Sequence, residues 1–549
     1  MRSVGWLLML AFLMGSCGRG SKSTDVPTPG TTDKALPTPT DAEIIERKVR
    51  EMLEKPGGDL VPEDLQRVTR LDLGGVRIRS VDYLASLKGL EVLHLNHNVI
   101  TDLSPLADLK DLRELKVSYN PLVGVTPLAK LSHLEKLYLD GIELTNLEPL
   151  SRLTSLRELG LENNQISDLA PLAQLSRLKL LHLGGNPVVN LAPLASLKEL
   201  EIFYLSSSRV TDVSPLSKLT LLKNVGLPGN QIVDVAPLRE LVNLESLHLG
   251  GNPIVDIEAL SGMTGLKTLN LGRTQVADLK PLRGLIRLEH LDLAHTRVDD
   301  LTPLGGLKAL KSFTLRNATP LNPSIVSGLD LSPLSGLKAL EQLQLEGNHI
   351  LNLSGLADLM ELKELSIENN QIVQLDALAG LVNLETLRLG ANRISDLGPL
   401  AGLPKLWRLD LDANLIVELA PLSELKNLTT VRLRKNRIVD LAPLARLPKL
   451  KYIFLDHNQI RETASLGKLQ QLEYIGLEGN QLTDLKSLAG LRSLLVLRVA
   501  NNQITSLAPL MEMKSLRKLT IKENPQLVRA EARDLRRALP GLEIDFFEK

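Results

Sequence analysis

The chain has 549 residues, with 64 Lys and Arg balanced by 64 Asp and Glu, so its formal net charge is zero. That balance gives no electrostatic basis for binding nucleic acid or for holding an anionic membrane surface, and any charge-based recognition must come from local patches. Aromatics are only 3% and there is one cysteine, Cys17, so the core must be aliphatic and an intrachain disulfide is excluded.

Residues 1–17 read MRSVGWLLMLAFLMGSC. Arg2 supplies a positive start, Val4 to Met14 is an apolar run too short to span a bilayer, and Gly15-Ser16 places small residues before Cys17. This segment resembles the bacterial lipoprotein signal, although Met14 stands where that family prefers Leu. The resemblance implies export across the inner membrane, lipidation of Cys17 and a place in the cell envelope, on the outer membrane or cell surface if the cell has two membranes. An ordinary cleaved signal and an uncleaved anchor are the alternatives. Residues 18–40 are rich in Gly, Ser, Thr and Pro with no apolar period, and read as a disordered or extended linker that would reach ~70 Å if extended.

Thr40-Asp41-Ala42-Glu43 is a capping-box pattern. It leads into a helix that places Ile45, Val49, Met52 and Leu53 on one face and stops at Gly57-Gly58. Residues 41–67 are therefore assigned to an N-terminal cap.

From residue 68 to 526 one unit recurs every 22 residues. A clean copy runs Leu90-x-x-Leu93-x-Leu95-x-x-Asn98-x-Ile100-x-x-Leu103-x-Pro105-Leu106-x-x-Leu109. The alternation at Leu93-x-Leu95 predicts a short strand, Asn98 a turn whose amide serves neighbouring backbone, and Pro105 the start of a short helical turn. No single unit can bury its own apolar side, so the units must stack. About 21 coils at ~4.8 Å each predict an arc roughly 100 Å long. An eight-residue insertion falls near residues 319–330, beside Ala318, which cannot continue a row of asparagines. Residues 527–549 are assigned to a C-terminal cap: a helix at VRAEARDLRRAL (528–539), a strand at Ile544-Asp545-Phe546, and Phe546 and Phe547 over the apolar end.

The 22-residue pattern, the run from Asn164 to Leu172 and the helical N-terminal cap together resemble the internalin-type leucine-rich repeats of bacteria. The resemblance covers about residues 41–549. It implies an α/β fold: a right-handed solenoid with a parallel sheet on its concave face, short 3-10 or irregular segments on its convex side, and capped ends. It is specific for the fold and not for the partner.

In such a solenoid the residues six, four and two before each Asn slot face the concave side. The aromatics fall there: Tyr119, Tyr138, Tyr204, Trp407, Tyr452, Phe454 and Tyr474 lie in or beside strand positions, whereas Phe203 and Phe313 occupy core Leu slots. Trp407, Arg408, Arg432, Arg434, Tyr452, Phe454 and Tyr474 form one candidate binding patch on four successive coils, with Arg432 set to meet Phe454 and Tyr452 set to stack on Tyr474. A second candidate joins Tyr138, His182, Tyr204 and His248 to a column of small residues (Gly184, Ser206, Pro228, Gly250, Gly272, Ala294) that would open a groove. His290, Asp292 and His295 lack ligand-pair spacing, so no metal and no cofactor is expected, and no catalytic motif is present. The expected function is binding of a protein, with a glycan as the other ligand class, by a chain tethered through Cys17; the alternative is a structural spacer in the envelope.

Overall fold

The computed structural model describes residues 39–319 and 328–546. The stretch around Cys17, most of the linker, the greater part of the insertion and Phe547 lie outside the described residues.

The repeat builds one parallel sheet of 22 three-residue strands, from β1 (Arg70–Asp72) to β22 (Glu543–Asp545), each paired with the next along the chain. The middle residue of each strand points inward, and the register advances one repeat per strand, as in Leu93↔Leu115. It holds across the insertion, where Phe313 pairs with Leu343, so the extra residues leave the sheet intact. Short 3-10 turns such as Ser104–Leu106 run along the opposite side, most of them opened by proline, whose missing N–H costs nothing there. Leucines of every repeat, with Phe203 and Phe313 in Leu slots, form one unbroken buried cluster.

The buried asparagines close each coil. The Asn98 amide donates to the Leu95 carbonyl of its own coil (2.9 Å) and to Leu73 of the preceding one (2.7 Å), and its oxygen accepts the Ile78 N–H (3.1 Å). One side chain thus pairs three backbone groups that no strand or helix reaches. Where the slot holds Thr274 or Thr296, the hydroxyl makes a single bond to its own coil, to Leu271 or Leu293, each at 2.7 Å. At Ala318 the row is bridged from the far side, since Asn348 accepts the Ala318 N–H (3.0 Å) and reaches back to the Leu315 carbonyl. The recurring Asp of the convex turn caps its own backbone, as in Ala170 N–H to Asp168 Oδ1 at 2.8 Å.

Helices close both ends of the described stack. In α1 (Asp41–Leu53) Thr40 and Glu43 form the reciprocal capping box, and the Asp41 carboxylate accepts the N–H groups of Arg79 and Ser80, both at 2.8 Å. Ile45 and Val49 are buried on the first coil, but Met52 stays exposed. A second short helix, α2 (Pro62–Gln66), completes the turn into β1 and was not apparent from the apolar pattern. At the other end α3 (Arg529–Ala538) buries Ala532 and Leu535, and Glu531 accepts the Leu507 N–H at 2.9 Å. Phe546 packs partly buried against the core.

Candidate functional site

The sheet face changes character along its length. One column, the residue just before each strand, alternates in sign over most of the chain and pairs between neighbouring coils. Arg113 meets Glu135 (3.0 Å), Lys179 and Lys223 both meet Glu201 (3.0 and 2.7 Å), Lys267 meets Glu245 (2.7 Å), Lys311 meets Glu289 (2.6 Å) and Lys363 meets Glu341 (2.6 Å). The lysine hydrogen bonds hold the carboxyls of Glu201, Glu245, Glu289 and Glu341 below their ordinary range. Reading this column down the sequence at intervals of 22 would have revealed the ladder.

The ladder is interrupted at Trp407 and Thr429, where the predicted patch begins, and resumes inside the patch with Lys451 and Glu473 (2.9 Å). Phe454 lies between two guanidinium groups, with the Arg432 and Arg434 carbons 4.8 and 4.5 Å from its ring centre. Both arginines are also held by acids that the pattern of aromatics did not point to. Arg432 Nε is 2.9 Å from Asp410 and 3.2 Å from Asp412, and Arg434 Nε is 3.0 Å from Asp456. The arginines are half-buried and Asp410 and Asp456 buried, which makes the charge-assisted bonds stronger and fixes the arginine planes against the ring.

The expected stacking of Tyr452 on Tyr474 is replaced by another arrangement. Their backbones are in register, but the ring partner of Tyr474 is Phe454, centroids 4.5 Å apart. Tyr452 turns its hydroxyl to Glu473 (2.6 Å), because a half-buried phenol does better with an acceptor than with a second ring. Burial and that carboxylate push the Tyr452 phenol up to about 12. Arg498, also overlooked, donates to Glu478 (2.7 Å) and touches the Tyr474 hydroxyl (3.4 Å). Burial, then the neighbouring Asp410, raises the Asp412 carboxyl above its usual range.

The second predicted group is spread over more coils. His182 meets Tyr204 edge-on at 5.2 Å, while Tyr138 donates to Glu158 (2.6 Å) under the Lys116 ammonium. His248 bonds to the Ser246 hydroxyl (2.9 Å), and burial lowers its pKa. The glycines of these rows act as seats: a Cβ at Gly160 would strike the Tyr138 ring, one at Gly226 the Tyr204 ring, and one at Gly250 the Asn270 amide. In the column expected as a groove, the space at Gly250 is taken by Asn270 and that at Gly184 by the Ser206 hydroxyl. His290 is exposed and Asp292 accepts from Asn270 (2.9 Å); among the described residues no three metal-ligating side chains converge.

Family models of leucine-rich repeats match residues 66–122, 154–196, 242–284, 361–402 and 426–482. The fold is a leucine-rich-repeat solenoid. An internalin (inlF) from Listeria monocytogenes str. 4b F2365 is similar at 28% identity and a TM-score of 0.50, covering 68% of this chain and 98% of its own. The Arabidopsis receptor kinase HAESA, solved with the peptide hormone IDA and the co-receptor SERK1, has the same leucine-rich-repeat fold at 20% identity and a TM-score of 0.59, covering 88% of this chain and 89% of its own. A TDR receptor is similar at 20% identity and a TM-score of 0.60, over 85% and 90% of the two chains. No curated protein matches the chain. Among the described residues of the solenoid, no helix is long and apolar enough to cross a membrane.

Proposed function

We propose that this solenoid is a lipid-anchored scaffold that holds a protein partner on its sheet face, at the rows from Trp407 to Tyr474. The observation that carries the reading is the break in the charge ladder. Upstream, the charges beside the strands are neutralised by one another; from Trp407 onward, with Lys451 and Glu473 still paired, the face presents half-exposed aromatic rings braced by fixed arginines. Trp, Tyr and Arg in that setting are the side chains that dominate binding energy at protein interfaces. The solved complex of HAESA with a peptide and a co-receptor supports a binding role for the fold.

A crosslinking pull-down from membranes tests it. A stoichiometric protein partner supports the scaffold, a bound glycan replaces the ligand class, and no partner at all supports a spacer. Unchanged recovery with an Arg432→Ala/Tyr452→Ala variant removes the patch. The anchor rests on the pattern ending at Cys17. Cys17→Ser should move the chain to the soluble fraction, and a variant that stays with the membrane contradicts the anchor.

A further inference from the structure

At the upstream edge of the aromatic rows, two arginines differ from the others on this part of the face. Arg432, Arg434 and Arg498 each have a carboxylate within 3.2 Å. Among the described residues, Arg388 and Arg408 have neither an ion pair nor a side-chain hydrogen bond, although both are half-buried. The Arg408 Nε is fully shielded from solvent and has no acceptor. Burial, then the charges of Arg388 and Arg432, makes the Arg408 cation harder to hold.

The same rows contain other unpaired groups. Four shielded side-chain polar atoms lack a partner among the described residues, and three of them are Glu346 Oε2, Ser366 Oγ and Arg408 Nε, on this stretch of the sheet. Ser366 stands in register beside Arg388, and Arg408 beside Thr386, so the two arginines are diagonal neighbours about 8 Å apart at the backbone. Two long guanidinium side chains at that spacing can converge on one anion, with the Ser366 hydroxyl as a third donor. At the opposite side of these rows, Glu346 lacks a donor and burial raises the Glu368 carboxyl. Donors on one side and acceptors on the other match a peptide, which offers both an acid and N–H groups.

We infer that Arg388, Arg408 and Ser366 form a seat for a carboxylate of a peptide ligand. This rests on the proposed protein-binding role and names the chemistry recognised beside the aromatic patch.

Calorimetric titration of the full-length chain in detergent tests it with four probes: acetyl-Gly-Gly as free acid and as amide, and acetyl-Asp-amide against acetyl-Asn-amide. The acids should bind saturably and each uncharged mate about tenfold more weakly or worse. The better of the two acids tells a terminal carboxylate from a side-chain one. Arg388→Gln/Arg408→Gln should lose the same factor and still melt like the wild type, since no carboxylate is left unpaired; Lys311→Gln, remote from the seat, should not change acid binding. Equal binding of acids and their mates, unchanged binding by the double variant, or glucuronate outcompeting both acids would overturn the inference. If partner capture stays intact while the acids fail, the seat is wrong and the scaffold stands. If the acids bind but no partner is captured, the scaffold is wrong and the seat stands.

Discussion

The coils from Arg113 to Lys363 and those from Arg388 to Arg498 share one backbone and one core, yet use charge in opposite ways. In the first stretch Glu and Lys alternate beside the strands, and their carboxyls are held low by exposed lysine partners. In the second, arginines lie over the strands among rings, and burial pushes the Asp412 carboxyl up. A ladder of exposed pairs contributes little to stability and leaves little to offer a ligand. A face that keeps half-buried charges and aromatic rings at its surface is costlier to maintain, and recognition is a return that would offset that cost.

The backbone of the two stretches differs as well, and the largest effect should show it. Asparagine fills the slot in every row from Asn348 to Asn524, whereas Thr274, Thr296 and Ala318 stand in succession upstream. Asn436→Ala removes bonds to the Leu411 and Leu433 carbonyls and from the Ile416 N–H, and should cost about 2–4 kcal/mol. Thr274→Ala removes one bond and should cost about 1 kcal/mol. Denaturant unfolding with local hydrogen exchange reads both; equal losses would mean that the asparagine bridges do not set coil stability.

Next in size, Phe454→Ala should weaken partner binding by about 2 kcal/mol or more while costing about 1–2 kcal/mol of stability, through loss of the ring between two guanidiniums. Tyr138→Ala in the first stretch should leave binding within a factor of about two, as a residue outside the contact does. Comparable losses at the two positions would erase the functional contrast.

Titration sharpens the comparison further. A phenol whose folded pKa is raised stabilises the fold below its unfolded value of about 10 and loses that contribution as pH climbs toward about 12. Ultraviolet titration should show Tyr452 ionising late, and Glu473→Gln should bring it partway back. The smallest effect belongs to the ladder: Glu201→Gln should lower the melting temperature by under about 2 °C at neutral pH. Because the Glu201 pKa is depressed, that difference should vanish as pH falls from 4.5 through the folded value. A difference that persists in acid would assign the effect to packing.

The coil was legible because its constraints recur at fixed spacing: Leu93, Asn98 and Pro105 each meet a need that every repeat shares. The alternating charges at Glu201, Lys223, Glu245 and Lys267 carry an equally regular signal, visible only when the residue before the strand is read as a column. The patch was legible in part. Arg432 over Phe454 follows from strand register, but the turn of Tyr452 toward Glu473 depends on where a hydroxyl finds an acceptor, and column order does not specify that. The roles of Asp410, Asp412 and Asp456 were hidden because acids on a strand face look alike until their burial is known. The small residues Gly184 and Gly250 read as open space, although a Cβ at either would strike Ser206 or Asn270.

The most direct test places a photo-crosslinking residue at Tyr452 in one variant and at Tyr138 in another, and compares capture of the partner from membranes. Capture confined to position 452 is the predicted result. Equal capture at both, or capture at 138 alone, would contradict a binding face set by the rows where the charge ladder is interrupted.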